Sequence, residues 1–223
     1  GLGAEVRSED INSSNIGEHN RENLGLYAQY RTYLLEKLNV NFGTYLNYNS
    51  DYKWQLYPGL DASYELTHSL KISGNIGTSQ RLPSFTDLYL DQRPGNIGNS
   101  NVTPENAFQS EIGLKFNKNG LGIQSSYFYR RINKFIDWTK LVSSDPWQSN
   151  NVGDLLTRGI NVRSTYALEL TNQSKFNFML GYSYLESEFK NTNTSLASKY
   201  LISSLKHQVT NTVDFRYQKL AML

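Results

Sequence analysis

From Leu38 to Asn49 the chain alternates without a break: Leu38, Val40, Phe42, Thr44, Leu46 and Tyr48 fall on one parity, and Asn39, Asn41, Gly43, Tyr45, Asn47 and Asn49 on the other. A repeat of two is the period of a pleated strand, whose successive side chains point to opposite faces. The run is also long. Globular strands average about 5–6 residues, whereas a tilted β-strand needs roughly 9–11 to cross a bilayer. The chain must therefore fold as extended ribbons with one greasy face and one wet face.

The pattern recurs. Trp54, Leu56, Pro58, Leu60, Ala62, Tyr64 and Leu66 oppose Lys53, Gln55, Tyr57, Gly59, Asp61, Ser63 and Glu65. Leu70, Ile72, Gly74 and Ile76 oppose Lys71, Ser73, Asn75 and Gly77; Phe108, Ile112, Leu114 and Phe116 oppose Gln109, Glu111 and Lys115. Ile160, Val162, Tyr166, Leu168 and Leu170 oppose Asn161, Arg163 and Glu169, and Val209, Val213, Phe215 and Tyr217 oppose Gln208, Thr210, Asp214 and Arg216. This predicts an all-β chain of about ten or eleven strands.

The connections sort by kind. Tight turns are expected near Leu35-Glu36-Lys37, Thr67-His68, Asn117-Lys118-Asn119-Gly120 and Thr171-Asn172-Gln173. Between them lie connections expected to be mostly long: Glu9 to Arg21, the shorter Asn47 to Lys53, Gln80 to Pro104, Lys134 to Gly153, and Glu188 to Lys206. Short turns at one end and longer loops at the other mark an up-and-down barrel of the outer-membrane type. In hydrocarbon every backbone polar group must pair internally, so such a sheet closes on itself, apolar parity toward lipid and polar parity toward a wet interior. Trp54, Tyr64 and Tyr184, near strand ends, are expected in the interfacial girdles. A soluble β-sandwich or solenoid is the alternative, and it would make strand length and loop asymmetry coincidences.

Composition agrees. Mean hydropathy is −0.55 and hydrophobic residues are 38%, with no run near the roughly 18 apolar residues of a membrane-spanning helix. The 16 Tyr, 10 Phe and 3 Trp suit pleated, half-buried surfaces. With no cysteine, disulfides, thiol nucleophiles and Cys-based zinc sites are excluded. The net charge of +2 from 22 basic and 20 acidic residues is too balanced for a nucleic-acid footprint. The opening residues GLGAEVRSED carry no signal-peptide pattern and read like mid-strand sequence, so the chain is expected to be a fragment of a longer one.

One segment breaks the alternation: GNIGTSQRLPSFTDLYL, followed by GNIGNSNVTPENAFQSEIGLKF. It holds Arg81 and Pro83, the aromatic Phe85 and Tyr89, the turn Gly95-Asn96, then Pro104 and Glu105, and finally Glu111 and Gly113 on the next strand. In this order and spacing the segment resembles the signature of TonB-dependent outer-membrane receptors. Gly25-Leu-Tyr-Ala-Gln-Tyr30 is similar to a barrel strand of that family, and Asn150-Asn-Val-Gly153 with Gly159-Ile160 to a later pattern, although Asn161 stands where the family usually has Glu. Lys206 precedes His207 where the family often has Pro-His. The resemblance covers nearly the whole chain. It implies part of a 22-stranded antiparallel up-and-down transmembrane β-barrel, of which about ten or eleven strands are present. Residues 1–223 would be the barrel fragment, with the plug domain and final strands absent.

The implied function is TonB-dependent active import across the bacterial outer membrane of a scarce nutrient, a ferric siderophore or similar metal chelate. Its partners would be outer-membrane lipid, the TonB complex through the absent plug, and small-molecule cargo, with no nucleic acid. A glycan importer of the same family, a passive porin or an adhesin-like barrel are the alternatives. No enzyme, cofactor or metal site is expected: no G-x-S-x-G elbow or P-loop occurs, and His19, His68 and His207 lack ligand spacing. Arg81 is expected to point inward at the mouth and to pair with Glu105 or Glu111, with Pro83 leaving the ladder because it has no N–H. Cargo-contact candidates are the loop residues Tyr89, Asp91, Gln92, Arg93, Trp138, Asp145 and Trp147, since aromatic faces stack on flat groups and guanidinium grips anions.

Overall fold

The alternation becomes a continuous ladder. The computed structural model describes residues 1–171, 173–190, 197–199, 205–217 and 220–222. In chain order its elements are β1 (Leu2–Ser13), β2 (Gly17–Leu34), β3 (Leu38–Asn49), β4 (Lys53–Thr67), β5 (Leu70–Arg81), a short helix α1 (Phe85–Tyr89), β6 (Asp91–Gln92) and β7 (Asn96–Ile97). There follow β8 (Glu105–Lys118), β9 (Leu121–Asn133), β10 (Ile136–Lys140), β11 (Trp147–Asn151), β12 (Asp154–Thr171), β13 (Ser174–Lys190), β14 (Ala197–Ser198), β15 (His207–Tyr217) and β16 (Leu220–Met222).

Eleven strands form one sheet in the order β1-β2-β3-β4-β5-β8-β9-β12-β13-β15-β16, every neighbour antiparallel. Register carries each apolar parity into the next. Thr32 faces Val40, Val40 faces Ala62, Ala62 faces Gly74, and Gly74 faces Ile112, which faces Tyr127 and so leads to Ile160 and Tyr184. A one-residue slip anywhere would turn a strand inside out. The result is an exposed apolar band holding Phe42, Leu56, Ile112 and Leu180, each at least half exposed. In water such a band would be untenable; against hydrocarbon it is the expected surface. No described helix is long and apolar enough to cross a membrane, so crossing falls to the strands.

Three of the expected tight turns appear as such, between β2 and β3, β4 and β5, and β8 and β9. At the last, Asn119 (φ 50°) and Gly120 (φ 81°) both take the left-handed conformation, the geometry of a two-residue hairpin turn matched to strand twist. The fourth expected turn includes Asn172, which lies outside the described residues.

At the opposite end one expectation is corrected. The span from Glu9 to Arg21 is ladder: Glu9 pairs with Arg21, Asn12 with Glu18, and only residues 14–16 turn. These strand ends bury polar side chains such as Arg21 and Asn23 on one face, so they carry no apolar parity and look like loop in sequence.

The connections after β5, β9 and β13 are long. Parts of them meet in a second sheet of five short strands, ordered β14-β10-β11-β7-β6, with β7 and β11 parallel. Of the connection Glu188 to Lys206, residues 191–196 and 200–204 lie outside the described residues.

Candidate functional site

The mouth of the wall is organised around Arg81, the last residue of β5. It pairs in register with Glu105, the first residue of β8. Its Nη1 donates to Glu105 Oε1 at 3.0 Å and its Nη2 to Asp87 Oδ2 at 3.1 Å. The guanidinium thus bridges two carboxylates that are themselves 4% (Asp87) and 5% (Glu105) exposed. The other expected partner, Glu111, is not engaged: it pairs with Asn75, six residues further down β8. Spacing along one strand puts Glu111 on the right face but at the wrong height.

Asp87 was not anticipated. It is the third helical residue of α1, reached through a capping box in which Ser84 Oγ accepts from Asp87 N while the Asp87 carboxylate accepts from Ser84 N at 3.0 Å. Its Oδ1 accepts from Trp138 Nε1 at 3.3 Å, and its carbonyl oxygen accepts from Ser149 Oγ. One side chain therefore joins β5, α1 and β10, and the same residue's backbone holds β11. Glu105 adds a further tie, accepting the Ile136 N–H at 2.8 Å. Leu88, Val102 and Ile136 form a small apolar core beneath. The Ser-x-x-Asp spacing of Ser84 and Asp87 is a helix-start signature that could have been read from sequence.

Most of the other signature positions belong to the same cap, while Gly113 lies lower, in the wall opposite Ser73. Pro83 is fully buried. Gly95 O accepts from Trp147 N at 2.9 Å, and Asn96 pairs with Trp147 in the parallel β7–β11 ladder. Pro104 immediately precedes β8. Gly113 lies buried where a Cβ would stand 3.2 Å from Ser73 Oγ.

Arg21 is the second residue the sequence did not single out. It is 3% exposed, its Nε donates to Asp51 at 2.9 Å and its Nη1 to the Pro83 carbonyl at 3.0 Å. The guanidinium lies between Phe85 and Tyr52, 4.7 and 5.6 Å from their ring centroids. Burial pushes the Tyr52 phenol above its ordinary 10, with the Arg21 charge working against the shift. Arg21 was hidden because its segment read as loop.

The loop candidates occupy distinct places. Trp138 is buried and committed to Asp87. Tyr89 is partly exposed and stacks on His19 with centroids 3.7 Å apart. Asp91 and Arg93 form an exposed ion pair at 3.4 Å, and Gln92 accepts from Asn96 at 3.2 Å. Asp145 accepts from Val142 N, closing its own turn. Trp147 carries Lys140 Nζ over its ring at 4.7 Å. They are thus spread over both the surface and the interior of the cap and do not converge on one point.

Below the cap the inner face is polar. A cavity of about 400 Å³ lies against β1–β5 under residues 82–84. A wider trough of about 680 Å³ crosses β5–β15 over Gly113, Ser126 and Asn161. Among the described residues no group of three or more His, Asp or Glu is placed to hold a metal ion.

A wide antiparallel wall, apolar on one face and polar on the other, with short turns at one end and a woven cap at the other, is part of a transmembrane β-barrel. The chain belongs to the TonB dependent receptor-like β-barrel family, whose model matches residues 3–221. That membership places it in the outer membrane of a Gram-negative bacterium. Among curated relatives, the vitamin B12 transporter BtuB of Photobacterium profundum is 27% identical over 171 residues, covering 73% of this chain and 26% of that protein. The chain therefore spans about a quarter of that relative's length. Among solved structures, the siderophore receptor PirA from Pseudomonas aeruginosa superposes with a TM-score of 0.74 at 17% identity, covering 98% of this chain and 42% of that one. The FrpB iron transporter from Neisseria meningitidis gives 0.73 at 15% identity, covering 98% and 37%. At these identities the structural likeness is one of fold.

Proposed function

We propose that this chain is part of the barrel of an active importer that brings a scarce nutrient, a ferric siderophore or similar metal chelate, across the outer membrane. Energy would reach it from the TonB complex through a plug domain supplied by the rest of the parent protein, which would also complete the barrel. The observation that carries this reading is family membership over residues 3–221. It is supported by relatives named as transporters of vitamin B12 and iron and as a siderophore receptor. The loop residues Tyr89, Asp91, Gln92, Arg93, Trp138, Asp145 and Trp147 remain the proposed cargo contacts, Trp138 acting only if the cap opens.

The test is uptake by the parent protein in cells deprived of iron, with and without a functional TonB complex. Energy-dependent accumulation of a labelled ferric chelate, lost on removing either component, is expected. Accumulation indifferent to TonB would instead identify a passive pore, and energy-dependent uptake of oligosaccharide alone would identify a glycan importer.

A further inference from the structure

The trough of about 680 Å³ on the inner wall carries an unbalanced charge. Its floor is a row of short side chains paired across the register: Ser73, Gly113, Ser126, Asn161 and Ser183. One inner row nearer the short turns, the wall reads Lys71, Lys115, Gln124, Arg163 and Gly181. From β5 to β13 this row holds cations and no carboxylate.

The described wall does not offset them. Lys71 and Lys115 stand directly opposite each other, an unfavourable placement for like charges. Among the described residues neither ammonium has an ion pair or a hydrogen bond. Glu65 lies opposite Lys71 at the end of the row without pairing to it. Arg163 Nη2 donates to Met179 Sδ at 2.8 Å, and a thioether is too weak an acceptor to balance a guanidinium. Glu111, higher in the trough, stands about 13 Å up β8 from Lys115, beyond ion-pair reach. Nearer the mouth the contrast is plain: Arg7, Arg21 and Arg81 are matched within the wall by Glu9, Asp51 and Glu105.

The counter-charge must come from something that faces the wall from inside. The lumen of a 22-stranded barrel is plugged, and this chain covers 26% of the BtuB relative and 42% of PirA, so such proteins hold a large further length of chain. Fixed cations about 5 Å apart from strand to strand suit successive carboxylates of a peptide, and a floor of Ser and Gly lets its backbone come close.

We propose that the row Lys71, Lys115 and Arg163 is the docking surface for an acidic segment of the parent protein's interior domain. The proposal rests on the plug of the import reading and names the wall surface and the charge that hold it.

The experiment treats the purified parent protein in detergent micelles with a zero-length carbodiimide, which joins a lysine to an Asp or Glu only where the two touch, and maps the products by mass spectrometry. Adducts are expected between Lys71 or Lys115 and a carboxylate outside residues 1–223, and they should fade in about 1 M salt, where screening acts over about 3 Å. In the double variant Lys115→Glu with Arg163→Glu, hydrogen exchange in the cross-linked interior segment should accelerate about tenfold; heat-modifiable gel mobility establishes that the barrel is folded. Adducts confined to Glu65, or unchanged exchange in the folded double variant, would overturn the proposal. So would interior-domain adducts formed by other wall lysines and by neither of these. The two readings fail separately. That last outcome together with TonB-dependent uptake would leave import standing and remove this surface, whereas the expected adducts in a protein whose uptake ignores TonB would keep the surface and remove active import.

Discussion

Replacing Asp87 by alanine should release the cap as a unit. The carboxylate accepts from the buried Trp138 Nε1 at 3.3 Å, from Ser84 N at 3.0 Å and Ser84 Oγ at 2.9 Å on an exposed residue, and from the Arg81 guanidinium at 3.1 Å. Leaving a buried donor without a partner costs about 1–3 kcal/mol, and Trp138 Nε1 is so orphaned, whereas water can reach Ser84. The Arg81 bond adds less, because that side chain is 49% exposed and keeps Glu105; solvent screening holds its share below about 1 kcal/mol. The total is about 1–4 kcal/mol, or roughly a fivefold to thousandfold loss of protection against local opening. Hydrogen exchange read by mass spectrometry on the protein in micelles gives the answer peptide by peptide. Faster exchange should appear together in peptides from 84–99 and 136–151, while β8 and β9 below Glu105 keep their protection. Asp87→Asn, which retains an acceptor for one donor, should lie between. Acceleration confined to 84–90, with 136–151 unchanged within about threefold, would refute the view that one carboxylate joins these loops.

Four further outcomes follow from the same geometry. Arg81→Ala strands two carboxylates beside each other and should loosen the cap; cargo binding lost with folding and cap protection intact would instead make Arg81 a direct ligand. Ile112→Arg, on the outer band, should cost about 2–4 kcal/mol in urea titrations of bilayer-inserted protein, whereas Gln109→Arg on the inner parity should cost far less. Gly159→Val should abolish the heat-modifiable folded band, since even a Cβ there would stand 2.2 Å from the Tyr184 carbonyl oxygen and 2.6 Å from Phe128. The Tyr52 phenol, raised above 10 by burial, keeps its proton in the folded state at pH values where the unfolded chain releases it. Its contribution to stability is complete below pH 10 and declines as pH rises further; Tyr52→Phe should flatten that alkaline loss, as followed by urea titration at a series of pH values.

The wall was legible in sequence because its determinant is local. Each strand states its parity residue by residue, and register follows once one face must be apolar and turns are tight. Two kinds of information escape that reading. Strand ends above the membrane lose their apolar parity, which is why Glu9 to Arg21 looked like loop and why Arg21 went unnoticed. Long-range side-chain meetings have no period at all: Asp87 and Trp138 are 51 positions apart, and nothing in either segment announces the other. The capping box at Ser84 lay in between, local enough to be read yet overshadowed by the aromatic residues around it.

The segment that carries the family resemblance also acquires a physical explanation. Arg81 and Glu105 stand opposite each other as the last ladder pair of β5 and β8, so the connection between them leaves and re-enters the wall at one height. A loop of that length is entropically costly to close, though the cost grows only slowly with length. Of its three prolines two sit at its ends: Pro83 lies two residues past Arg81, and Pro104 immediately precedes Glu105. Neither has an N–H to extend the ladder, and each favours an extended residue before it, so the chain departs and returns at defined points. The guanidinium then ties the departing strand to the returning one through Glu105 and to the loop itself through Asp87. The stretch from Arg81 to Glu105 is therefore legible as a closure device whose spacing follows from one excursion out of a β-wall, while Glu111 and Gly113 lie further down β8, opposite Asn75 and Ser73.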